Sequence, residues 1–204
     1  MSVPRLAVDW KEFSYQSAQL GSLLLPIATL PIRHRKLIAE IALVRLFLLV
    51  ENTVQSICAK ILCGASYLDA SQPKILIRAQ SATHAHSLMR SHLRPNPKKD
   101  LKWSSSSEIR DNLVTTLAQT DPLFLTVINH GAFLTDIRYA RNHIVHNNEN
   151  SRNNFRKLLR KHYGGLKRGI TPGVLLLTTK LGPSPLLQDF FVEGRVLIKT
   201  LVKA

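Results

Sequence analysis

Acidic side chains are scarce: the chain holds 13 Asp and Glu against 28 Lys and Arg, a formal net charge of +15. No spaced Asp/Glu set resembles that of a two-metal nuclease, whose paired cations need several converging carboxylates. Cysteine is nearly missing as well. Cys58 and Cys63 cannot build a disulfide framework, and no C-x-x-C pair offers a structural zinc site, so both read as buried thiols in a reducing cytosol. Long apolar runs are absent: the longest apolar region, Leu37 to Val50, is interrupted by Glu40 and Arg45, and a spanning helix needs about 20 apolar residues. Leu20 to Ile32 lacks charge, yet it begins late and follows Asp9 and Glu12, which argues against a signal peptide. The expected location is cytoplasmic, with no membrane partner. There is no P-loop, dinucleotide-binding glycine pattern, G-x-S-x-G elbow or H-E-x-x-H, so the common nucleotide, serine-hydrolase and zinc-protease chemistries have no foothold. No internal repeat is visible.

What is present is basic and helical. At 204 residues the chain fits one sizeable core. A surplus of cations this large biases it toward polyanions, with nucleic acid ahead of an anionic membrane surface because the charge lies in several separated stretches. Residues 1–32 read as an N-terminal helical extension packed on the body, closed by Pro26 and Pro31, and residues 33–204 as the main helical domain. Leu46, Leu49, Val50, Val54, Ile57 and Ile61 repeat at helical spacing, so Arg33 to Leu62 is predicted to be a long core helix stopped by Gly64. Its other side carries Glu51, Asn52 and Gln55, a polar cluster halfway along.

Ser71 to Arg94 is predicted helical, with Ile75, Ile77, Ala82 and Leu88 inward. Its histidines, His84, His86 and His92, have no partner carboxylate or cysteine near in sequence. Arg94 to Lys102 is a proline-broken basic loop ending at Trp103; such a loop can hold single-stranded nucleic acid, or its Trp can pack back on the body. Ser105-x-x-Glu108 is a capping box for a helix with Ile109, Leu113 and Leu117 inward, and Asp121-Pro122 starts another. That helix is expected to break near Gly131, with Thr135 or Asp136 capping the next. Phe155, Leu158, Leu159 and His162 form the inner side of a later helix, whose outer side carries Arg152, Arg156, Lys157, Arg160 and Lys161. Like charges at this spacing repel by a few tenths of a kcal/mol per pair, and bound phosphates relieve that, so these five are the candidate RNA-binding residues. Gly164-Gly165 ends that helix. Gly173 to Thr179 is too short to classify, and Phe190 to Val202 is a final helix with Phe191, Val196, Leu197 and Leu201 inward.

The most informative stretch is Ile137 to Asn148, I-R-Y-A-R-N-H-I-V-H-N-N. Taking Ile137, Ala140 and Ile144 as the buried stripe, the neighbouring face collects Arg138, Arg141, Asn142, Val145 and His146. Arg141 and His146 lie about 140° apart on that helix, at about 100° per residue, so they share a broad face without touching directly. Arg138 and His143 repeat the spacing, but His143 falls on the far side of the stripe. An apolar Val145 at the centre of a polar face suits contact with another surface. A rigid guanidinium fork beside a titratable imidazole is what phosphate chemistry requires.

A-R-N-H-I-V-H-N-N resembles the R-x4-6-H signature of HEPN-superfamily ribonucleases. L-L-V-E-N-T-V-Q-S-I, around Glu51, resembles the long early helix of some HEPN subfamilies, where an acidic residue faces the motif, and K-R-G-I-T-P-G resembles the turn before their closing helices. The resemblance implies a single-domain, all-α, antiparallel helical bundle with additional helices. It also implies a metal-independent endoribonuclease without cofactor, in which the ribose 2′-hydroxyl attacks the adjacent phosphate to leave a 2′,3′-cyclic phosphate. His146 would be general base or acid, Arg141 the stabiliser of the phosphorane, and Asn142 an orienting group, with Glu51 and Arg138 as supporting residues. The family usually pairs two motif helices across a two-fold axis, which implies a homodimer through this helix. An antitoxin or defence-system partner is implied in the same way. Toxins paired with a nucleotidyltransferase commonly carry a tyrosine two residues after the histidine; Asn148 stands there instead. The alternative is a non-catalytic HEPN-type module binding nucleic acid or protein. A third reading takes His143-x-x-His146 as a metal pair, lacking a third ligand.

Overall fold

A computed structural model describes residues 4–93, 100–165, 167–179 and 182–203. Among them the chain is all-α: α1 (Leu6–Ser22), a 3-10 turn (Pro26–Thr29), α2 (Ile32–Leu62), α3 (Ala82–Leu93), α4 (Ser106–Leu113), α5 (Pro122–Asn129), α6 (Gly131–His146), α7 (Glu149–Tyr163), α8 (Pro172–Leu177) and α9 (Leu186–Leu201). None is long and apolar enough to cross a membrane.

The organising element is α2. Leu43, Leu46, Val50, Val54, Ile57 and Ile61 are all buried, and around it pack α1, α6, α8 and α9. Each fully buried side chain of this size stabilises by about 1.5–3 kcal/mol. The helix ends where Gly64 takes φ 91° and Ala65 N–H reaches back to Lys60 O at 3.0 Å, a left-handed stop that only glycine adopts without strain. Leu6 and Phe13 of α1 join the same hydrophobic cluster. A carboxylate on α1 is drawn in with them: Asp9 accepts from Lys60 Nζ at 2.7 Å and from Ser56 Oγ at 2.7 Å.

The short helices start where local chemistry says they should. Ser105 accepts from Glu108 N–H, Asp121 from Leu123 N–H, Asn148 from Ser151 N–H and Thr171 from Val174 N–H, each satisfying an orphan donor of the first turn. Gly173 lets α8 sit directly on α2: an added Cβ would come within 2.7 Å of Lys36 Cβ and 2.9 Å of Lys36 O, and the Gly173 N–H donates to Glu40 Oε1 at 2.8 Å.

Three expectations from the sequence are corrected. Residues 71–81 are not helical. Ile75 makes an isolated antiparallel bridge to Leu117, with Ala118 N–H donating to Lys74 O at 2.9 Å; Pro73 removes a donor, and Ile75-Leu76-Ile77 alternates half-buried and exposed as extended chain does. The motif helix starts at Gly131, not near Thr135 or Asp136. Only His130 separates α5 from α6, Thr135 Oγ1 donates to Gly131 O at 2.8 Å inside the helix, and Asp136 is buried as an ion-pair partner. Val196 points outward, and α9 begins earlier, at Leu186, with Phe190 and Phe191 inward. Trp103 is only 3% exposed and packs into the core, while the loop before it lies largely outside the described residues, as does the His92 side chain.

Candidate active site on the motif helix

On α6, Ile137 and Ala140 are fully buried and Ile144 is partly so, which fixes the rotation of the helix. Arg141, Asn142, Val145 and His146 then emerge on the side next to α2. Asn147, in the left-handed conformation at φ 40°, ends the helix.

Arg141 and His146 were expected to share a face without touching, but the side chains do meet. Arg141 Nη1 stands 3.4 Å from His146 Nε2 and 2.9 Å from Asn142 Oδ1. The long arginine stem closes the angular gap that the helix leaves. With the guanidinium donating, His146 Nε2 is the acceptor and its lone pair is turned toward Arg141. Asn142 holds the arginine and not the imidazole: its carbonyl oxygen accepts from the same nitrogen.

Three residues from other elements complete the surroundings of Arg141. The guanidinium lies over the Phe47 ring, 5.1 Å from its centroid, a contact worth about 0.5–2 kcal/mol depending on desolvation. Glu51, one turn further along α2, is the second. Burial pushes its carboxyl above the usual carboxylate range, the Arg141 charge pulls it back, and the Glu108 carboxylate pushes it up again. Glu108 itself, on the first turn of α4, accepts from Ser104 Oγ at 2.8 Å and stands 3.7 Å from Arg138 Nη1. Two arginines and two carboxylates thus alternate between α6, α2 and α4. Sequence reasoning named Glu51 and Arg138 but missed Phe47 and Glu108. Phe47 had a signal, since it sits four residues before Glu51 on the same helix face. Glu108 had already been assigned as a capping residue.

His143 points elsewhere. It stacks on Phe155 of α7, with centroids 4.5 Å apart and planes 17° from parallel. Burial, and then the nearby Arg152 charge, lower its pKa below the ordinary histidine range. Among the described residues no group of three or more His, Cys, Asp or Glu gathers as a metal site, and His143 and His146 face different surroundings.

No protein-family model, curated protein or solved structure matches this chain.

The five candidate RNA-binding cations of α7 fall on two sides of that helix. Lys157 and Lys161 line a shallow groove against Gly131, Thr135 and Tyr139 of α6, where Lys161 Nζ is tied to Asp136 Oδ2 at 2.6 Å and His162 Nε2 stands 3.6 Å from the same oxygen. Arg152, Arg156 and Arg160 line another groove, together with His143.

Proposed function

We propose that this protein is a metal-independent endoribonuclease of the HEPN type, working as a homodimer paired through α6. The observation that carries the reading is the direct contact of Arg141 with His146 Nε2 on an open face, with the guanidinium already backed by Asn142 and Phe47. A group held this way is preorganised, which is where electrostatic catalysis gains most.

In the reaction, Arg141 turns from His146 Nε2 to the phosphate, and the freed Nε2 takes the proton of the ribose 2′-hydroxyl, an exchange suited to an imidazole whose unperturbed pKa lies near neutrality. The O2′ oxygen attacks phosphorus, and charge develops on the non-bridging oxygens, to which Arg141 donates. The bond from phosphorus to the 5′-oxygen breaks, and that oxygen takes a proton from the imidazolium that a two-fold pairing supplies. The products are a 2′,3′-cyclic phosphate and a 5′-hydroxyl. Val145, 48% exposed in the middle of this face, is the apolar contact at the two-fold axis. A nuclease of this kind needs restraint, and an antitoxin or a defence-system partner is the form the resemblance implies.

Purified protein is expected to cleave structured RNA equally with and without EDTA and to leave cyclic phosphate ends detectable by mass spectrometry. Cleavage lost on adding EDTA would contradict the mechanism. Binding with every linkage left intact would make the chain a binding module instead. Val145→Arg should convert the dimer to monomer in sedimentation and reduce cleavage by about 10²-fold or more, the scale on which losing one positioned catalytic group acts. A variant that stays dimeric, or a monomer with full activity, would rule out the shared axis.

A further inference from the structure

The groove beyond α6 has a composition of its own. Arg152, Arg156 and Arg160 of α7 form one wall, Lys167 and Arg168 the other, and the His143 edge closes one end, around a volume of about 660 Å³. Gly169, at φ 75°, lines the same groove. Among the described residues no carboxylate pairs with any of these five cations; Arg152 and Arg156 hold only side-chain carbonyls, Asn147 Oδ1 at 3.2 Å and Asn153 Oδ1 at 3.0 Å. The Nδ1 atom of His143 is buried without a partner. In a chain that pairs Asp9 with Lys60 and Asp136 with Lys161, a cleft walled by five unpaired cations is a place for an external anion.

The spacing indicates which anion. Residues four apart on a helix are offset by about 6 Å along its axis, so three arginines at i, i+4 and i+8 present successive forks at intervals that fit consecutive phosphates of an extended strand better than one isolated phosphate. Position indicates whose strand. Asn147, which accepts from Arg152, is the residue directly after His146, so the groove opens one residue beyond the candidate active site.

We infer that this groove holds the backbone of single-stranded RNA on one side of the cleaved linkage, gripping consecutive phosphates through Arg152, Arg156 and Arg160 with Lys167 and Arg168 opposite. The inference rests on the ribonuclease reading for the identity of the strand, while the grip itself can be tested without cleavage.

The probe is a fluorescent 2′-O-methyl oligonucleotide of about twelve nucleotides, which lacks the attacking hydroxyl and is bound through backbone charge and stacking. Arg156→Ala/Arg160→Ala should weaken its binding about tenfold or more and flatten the slope of log affinity against log salt by roughly 1.4, about 0.7 for each lost phosphate contact. Lys11→Ala/Lys199→Ala removes the same charge from two exposed positions that do not line the groove, and should leave binding within about twofold if the grip is local rather than a net-charge effect. Arg168→Gln on the opposite wall should give an intermediate loss, and thermal melts of all variants should coincide. Equal losses in the two double variants, or no loss in the groove variant, would overturn the inference. Groove-dependent binding by a protein that never cleaves RNA would sustain the groove and remove the nuclease reading. Cleavage that is indifferent to the groove would do the reverse.

Discussion

His146→Ala is expected to lower the rate of RNA cleavage by about 10²–10⁴-fold, the range over which a positioned acid or base contributes, and Arg141→Ala by about 10²–10³-fold, as for loss of one preorganised charge donor. His146 is exposed, so His146→Ala should melt close to wild type, whereas Arg141→Ala gives up the Phe47 contact and should melt a few degrees lower while staying folded. The double variant should be little worse than the poorer single, because residues acting on one transition state do not contribute additively. Arg141→Lys should not restore activity: Nη1 serves both Asn142 Oδ1 and His146 Nε2, and an ammonium lacks the second nitrogen with which the planar guanidinium reaches phosphoryl oxygens at the same time. His143→Ala is the informative comparison, since it lies two residues after Arg141 and repeats the spacing with Arg138, yet stacks on Phe155. Single-turnover cleavage of a labelled RNA is the measurement. Arg141→Ala and His146→Ala variants that cleave like wild type would eliminate the mechanism.

The largest expected loss of stability comes from Asp121. Its side chain is 1% exposed and serves three donors at once: Leu123 N–H at 3.0 Å, Lys74 N–H at 2.8 Å and the Tyr67 hydroxyl. One carboxylate therefore caps α5, anchors the extended segment before α3 and satisfies a buried phenol, whose pKa burial, and then this hydrogen bond, push upward. Asp121→Ala leaves all three donors without a partner. Each buried orphan costs about 1–3 kcal/mol, so the total should reach about 3–5 kcal/mol, among the larger values for a point change. At about 2–4 °C per kcal/mol for a domain of this size, calorimetry should show the melting temperature falling by roughly 10 °C or more. Asp121→Asn keeps one acceptor and should lose clearly less. An alanine variant that melts with wild type would mean that the cap and the bridge hold without this residue.

Features set by neighbours in sequence were legible in advance. The apolar spacing along α2, the Ser105 and Asp121-Pro122 starts, the Asn-rich joint after His146 and the glycine stops all act within a turn or two of themselves. The buried stripe on α6 was legible for the same reason, and with it the separation of His146 from His143. What escaped depends on partners distant in sequence. Asp136 looked like a cap because Asp is a good one, but Lys161, 25 residues on, claims it. Ile75-Leu76-Ile77 could serve a helix or an extended pair, and only Leu117 decides. Phe47 and Glu108 reach Arg141 and Arg138 through the packing of α2 and α4 on α6, which no local pattern contains. Likewise the five cations of α7 read as one basic face, whereas the fold gives two of them to the Asp136 side and three to the open groove.

On the ribonuclease reading, the joint between α6 and α7 has a consequence for the size of substrate. Asn147 in its left-handed turn and Asn148 as a cap are the whole connection, so His146 and Arg152 are separated by a fixed length of backbone with no slack. Side-chain substitutions can loosen the hold or stop the cut, but they cannot move one relative to the other. The shortest oligonucleotide expected to fill both places would therefore be set by the fold, a footprint measured in nucleotides that an inserted or deleted residue at the joint should change.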